Sequence, residues 1–106
     1  MAWVLVGLAG LAEMAWVIGL KYSDGFSKPI PSLITVIALA VSMLLLGWAV
    51  KTLPIGAAYA VWTGIGAAGA AIAGLILFGE SANPARLFCI VLIVAGVAGL
   101  KLTTPG

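Results

Sequence analysis

Glu13 is a lone carboxylate inside an apolar run, Ala2 to Leu20, that is long enough to cross a bilayer. An unpaired ionised side chain in hydrocarbon costs about 3 kcal/mol or more, so such a residue is expected to carry function. The bland alternative is a structural hydrogen bond to a neighbouring helix. Residues three and four apart share a helix face, and Trp16 stands three positions after Glu13. Tyr59 and Trp62 repeat that spacing, with Thr63 and Gly66 continuing the stripe, and Ser42 is the one polar residue in the middle of its own apolar run. At a rise of about 1.5 Å per residue, Ser42 and Trp62 lie about 12 Å, and Glu13 about 18 Å, from the membrane face that carries the termini. These fall within one or two turns of a common level, so one carboxylate, one hydroxyl and several aromatic N–H or O–H groups are expected to converge. Such a set suits a small cation with hydrogen-bond donors and a flat or apolar body, the carboxylate supplying charge and the rings cation–π attraction. Packing alone is the competing explanation for Trp16, Tyr59 and Trp62. A serine such as Ser42 also commonly bonds its own helix backbone.

The elements that must position these groups follow from composition. Of 106 residues, 64% are hydrophobic and 8% charged, with a mean hydropathy of +1.29. A soluble domain carries about 25% charged residues, so this chain is expected to have lipid as its solvent. Four apolar runs stand out, about residues 2–20, 30–50, 54–78 and 84–100, in a single transmembrane domain over 1–106. All are too long for strands, and a bilayer leaves no partner for unpaired backbone, so they are predicted to be helices. Asn83-Pro84 reads as a cap followed by a first-position proline, and Pro54 as a first-turn residue of the third helix. Tyr22, Phe26, Trp3 and Trp48 fall near span ends, where aromatic rings favour the interface. The start, Met1-Ala2-Trp3, has no basic segment and Glu13 interrupts the apolar run, so the first span is expected to be retained and not cleaved. Scattered single charges give no basic patch for nucleic acid. With no His and one cysteine, no metal, cofactor or catalytic residue is expected and no intrachain disulfide is possible; Cys89 reads as filler.

Four spans put both termini and the second loop on one side, with Lys51, Lys101 and the N-terminal amine; the other side has Lys21, Lys28 and Arg86. The positive-inside rule then has little to act on. A chain without orientation bias is expected to insert both ways and to assemble as an antiparallel, dual-topology homodimer. Four short helices enclose little interior, which points to a second copy for the same reason. Ala95 and Gly99, with Gly96 beside them, form a small-residue face on the fourth helix and are expected to pack the dimer. The run Gly64-Ile65-Gly66-Ala67-Ala68-Gly69 leaves two readings open: close helix packing, or a bend at Gly64 and Gly66 that gives one helix two shapes.

Burial disfavours the ionised form of a carboxyl group. Glu13 can then be neutral with a proton or anionic with a cation, and competition for one group is sufficient for exchange once access alternates. In a dimer two such carboxyls face one cavity and titrate as a pair. The runs Ala12-Glu13-Met14-Ala15-Trp16, Leu20-Lys21-Tyr22-Ser23-Asp24-Gly25-Phe26-Ser27 and Pro54-Ile55-Gly56-Ala57-Ala58-Tyr59-Ala60-Val61-Trp62-Thr63-Gly64-Ile65-Gly66 resemble those of the small multidrug resistance family, over the whole chain. The Glu13–Trp16 pair, Ser42 and Trp62-Thr63-Gly64-Ile65-Gly66 are most similar to its guanidinium-exporting subtype. Drug-exporting relatives typically have a tyrosine near the Ser42 position and a serine at that of Thr63. Ala57 departs from the threonine common in the subtype.

The resemblance implies a proton-coupled antiporter, not an enzyme, that exports guanidinium and small guanidinyl cations across a bacterial inner membrane as an antiparallel homodimer. It implies that Glu13 binds substrate and proton, that Trp16 and Ser42 bond or orient Glu13, and that Tyr59, Trp62 and Thr63 line the pocket. An exporter of larger quaternary cations and a passive small-ion channel are the alternatives. Anion channels have little use for a buried carboxylate, and a subunit without transport leaves Glu13 unexplained.

Overall fold

The computed structural model describes residues 2–104. It holds four helices: α1 (Ala2–Tyr22), α2 (Pro29–Ala49), α3 (Ile55–Leu77) and α4 (Pro84–Thr103), with no strand among the described residues. Each has the length and composition to span a bilayer. At about 1.5 Å per residue, 20 to 23 residues reach roughly 30 Å, the thickness of a hydrocarbon core. The chain is an all-α, multi-pass membrane protein.

The helix ends differ from the sequence expectation by up to three residues, each for a local reason. α1 continues through Lys21 and Tyr22, because the chain turns only at Ser23. There the Ser23 hydroxyl donates to Leu20 O at 2.7 Å and accepts from Phe26 N–H at 3.1 Å. Three successive residues, Asp24, Gly25 and Phe26, have positive φ (49°, 69° and 66°). Only Gly25 takes that conformation without a steric penalty, so the buried Ser23 bonds hold the other two in place. Pro29 sits inside the first turn of α2, where its missing N–H is no loss. Pro54 is the residue before α3, with Ala58 N–H donating to its carbonyl at 3.0 Å. Asn83 caps α4 as the sequence predicts, its Oδ1 accepting from Arg86 N–H at 2.8 Å. α4 runs on to Thr103, so Lys101 lies in its last turn and reaches the Trp3 ring at 5.9 Å. That contact joins the start of α1 to the end of α4, as an even number of crossings requires.

The Cα trace is flattened, 41 × 34 × 16 Å. α1 packs between α2 and α3, α3 carries α4 on its far side, and α2 touches α3 only lightly. Glycines set these contacts. A Cβ at Gly10 of α1 would lie 2.6 Å from Ile65 of α3, and one at Gly19 would lie 2.5 Å from the Thr35 hydroxyl of α2. On α3, Gly69 receives the Met14 side chain and Gly64 receives Val97 of α4. The buried core is small: Val6, Ala9, Ala49, Leu53, Ala58, Val61 and Trp62. Most large apolar side chains of α2 and α4 face outward, as lipid permits.

Candidate functional site

The α1–α3 interface has two rows of contacts. In one row Gly10 meets Ile65 and Gly69 meets Met14. In the other, Trp62 reaches the Ala9 carbonyl and the Glu13 carboxylate lies over Gly66, so close that a Cβ at Gly66 would collide with Oε2. Glycine at position 66 therefore leaves the space in which the carboxylate is seated.

One turn from that seat, three helices meet at a single backbone oxygen. The Ser42 hydroxyl of α2 donates to Ala9 O at 2.7 Å, and Trp62 Nε1–H of α3 donates to Ser42 Oγ at 2.8 Å and to Ala9 O at 3.2 Å. Ser42 is fully buried and Trp62 is 8% exposed. In α-helical register Ala9 O is also the acceptor of Glu13 N–H. The polar groups of α2 and α3 thus hold the turn of α1 that carries Glu13, without touching its carboxylate. Ser42 does not bond Glu13 because its reach ends at the Ala9 level, about one helical turn away, the separation implied by the sequence-derived depths of 12 and 18 Å.

This network makes a testable claim about stability. Ser42→Ala or Trp62→Phe leaves a buried donor or acceptor without its partner, at a cost of about 1–3 kcal/mol. The pair removed together is expected to lose less than the sum, because both act on one oxygen. Thermal unfolding of the purified protein measures this, and strictly additive losses would count against the shared-acceptor geometry.

The remaining site residues are placed as follows. Tyr59 is half exposed, its ring tilted against Trp62 with centroids 5.5 Å apart. Glu13 Oε2, Trp16 Nε1 and Thr63 Oγ1 are buried atoms without a hydrogen-bond partner among the described residues. Trp16 therefore lies three residues from Glu13 without bonding it. α3 is helical without interruption from Ile55 to Leu77, and both Gly64 and Gly66 are packed against side chains. Ala95, Gly96 and Gly99 are exposed, and a Cβ at either glycine would meet nothing within 4 Å. Ile90 is the buried residue of α4. Sequence reasoning missed the part played by Ala9, since a backbone carbonyl has no residue-type signal; its position four residues before Glu13 was the available clue.

Glu13 thus carries a free carboxylate oxygen, Trp16 a free indole N–H and Thr63 a free hydroxyl. Hollows on the surface lie elsewhere, one of about 450 Å³ being lined by Met43, Leu44, Gly47, Trp48 and Lys51 on α2. Glu13 itself is partly buried at the α1–α3 seam, with Oε2 fully covered.

The family model described as "Small Multidrug Resistance protein" matches residues 1–93. A protein of Escherichia coli (strain K12) named Guanidinium exporter is 62% identical over 104 residues, covering 98% of this chain and 99% of the relative. Proteins of the same name from Salmonella typhimurium and Citrobacter freundii are each 60% identical, over 97% and 98% of this chain and 98% and 99% of theirs.

Proposed function

Because this chain belongs to the small multidrug resistance family, we propose that it exports guanidinium and small guanidinyl cations in exchange for protons. The observation that carries this reading is the Glu13 carboxylate over Gly66, with one buried oxygen unpartnered. Guanidinium is planar, and its N–H groups pair with a carboxylate two at a time, as an arginine head does. A proton neutralises the same group, so proton and cation exclude each other there. The relatives named Guanidinium exporter, at 60–62% identity, support the substrate. The chain is a multi-pass protein of a bacterial inner membrane.

The working unit in this proposal is an antiparallel homodimer. One chain is flattened and leaves a buried Glu13 oxygen without a partner of its own. The small-residue face of α4 is uncovered, and the loop charges are nearly balanced between the two sides. Two Glu13 side chains then share one cavity, and up to two protons exchange for one cation with coupled titrations. In the alternating-access step α3 moves against its neighbours, and Tyr59 and Trp62 open or close the way to Glu13.

The test is current from protein reconstituted in liposomes when guanidinium is added, across a series of pH values. Antiport predicts current whose size and reversal follow the imposed proton gradient. Guanidinium flux indifferent to that gradient would identify a passive channel. Equal flux of bulky quaternary cations would identify a drug exporter.

A further inference from the structure

Thr63 differs from three other helical hydroxyls of this chain, Ser32, Thr35 and Thr103, and from Ser42, which bonds across to α1. Ser32 donates to Lys28 O, Thr35 to Pro31 O at 2.8 Å and Thr103 to Gly99 O at 2.8 Å, each back-bonding to the carbonyl four residues earlier. That is the ordinary fate of a serine or threonine within a helix. Thr63 Oγ1 makes no such bond and is buried. A hydroxyl withdrawn from water without a partner costs about 1–3 kcal/mol, so something outside the helix is expected to complete it.

Its position says what. Along α3, Trp62 and Gly66 form the row that meets Ala9 and Glu13, while Ile65 and Gly69 form the row behind. At about 100° per residue, Thr63 falls on the carboxylate side of that seam, one turn before Gly66 and beyond it from the Ile65 row. The other polar groups of this region are committed, exposed or of the wrong kind. Ser42 Oγ accepts from Trp62 and donates to Ala9 O. Tyr59 is half exposed, and the Trp16 indole has only a donor to offer. Thr63 Oγ1 is a buried, uncommitted acceptor on the Glu13 side of α3.

Guanidinium brings six N–H donors in one plane, and a carboxylate engages two of them. In a dry site the others need acceptors. We propose that Thr63 is a substrate-binding contact of this site, its hydroxyl oxygen accepting a guanidinium N–H that Glu13 leaves free. This rests on the reading of Glu13 as the cation site. A guanidinium ion offers several N–H donors to that oxygen, where a protonated Glu13 offers a single O–H.

The experiment compares Thr63→Val, which keeps the shape and removes the hydroxyl, with Thr63→Ser, which keeps the hydroxyl. Tryptophan fluorescence of the purified protein reads guanidinium affinity at high pH, and a pH titration without guanidinium reads proton affinity. Thr63→Val is expected to weaken guanidinium binding about tenfold and proton binding distinctly less, while Thr63→Ser binds like the parent. Should valine prevent folding, Thr63→Ala against Thr63→Ser makes the same comparison. Unchanged guanidinium affinity in the valine variant overturns the proposal, as does an equal loss for guanidinium and protons, which marks a structural hydroxyl. Glu13→Gln run alongside separates the two readings. If it binds guanidinium as the parent does, the cation site itself is misplaced. If it loses binding while Thr63→Val does not, only the role of Thr63 fails.

Discussion

Glu13→Gln is expected to abolish proton-linked guanidinium current, with affinity falling at least about 10²-fold. The amide keeps the size of the side chain and its seat over Gly66, so the helices pack as before. What disappears is charge. A carboxylate pairing with guanidinium makes two charge-assisted bonds, each contributing about 1.5–3 kcal/mol, and an amide offers one neutral acceptor and two donors that face the cation's own donors. The amide also binds no proton in the working pH range, so both halves of the exchange stop together. Solid-supported-membrane recording of the reconstituted variant measures this. Current that still responds to a proton gradient in Glu13→Gln removes the residue from the mechanism.

The second large effect is expected at Gly66, and its contrast with Gly64 makes it specific. The two glycines are two residues apart on one helix, and each lacks room for a side chain. At Gly64 the obstacle is one methyl group of Val97 on α4. At Gly66 it is the carboxylate, Cδ and Cγ of Glu13. Because Glu13 is long and flexible, Gly66→Ala is accommodated by swinging the carboxylate away, and the protein folds with its charge misplaced. Guanidinium binding is expected to fall at least about tenfold, the equivalent of one lost charge-assisted bond. Gly64→Ala is expected to lower thermal stability through the α3–α4 contact and to leave affinity within about threefold, since Val97 bears no part in the site. Affinity and melting temperature for the two variants test this. Equal losses of affinity would show the carboxylate to be seated elsewhere.

How much of this was legible in the residues depends on whether the signal lay in a side chain or in the backbone. Four spans followed from length and apolarity, because lipid leaves a chain of this composition no other structure. Their ends shifted where a local bond decided the matter. Lys21 and Tyr22 are polar enough to read as loop, yet Ser23 sets the turn after them. Ser42 and Trp62 stood out by type and depth, and they are bonded to each other. Their common target, Ala9 O, was not legible, because every residue has a carbonyl and the choice among them rests on how the helices cross. The glycines of α3 were legible as small but not as seats. Bending and close packing use the same residue, and only the side chain opposite Gly66 identifies the contact as the Glu13 carboxylate.

The pH dependence of binding follows from competition at one group. Where Glu13 is ionised, guanidinium binds without displacing a proton. As pH falls through the titration of the group, each bound cation must expel a proton, and apparent affinity drops by up to tenfold per pH unit for each proton displaced. The most direct measurement is therefore a count of protons appearing in weakly buffered solution as guanidinium is titrated into the purified protein. Between one and two protons released per cation bound at the acidic end, declining toward none as the solution is made alkaline, is the predicted result. Binding that releases no proton at any pH would contradict a shared site.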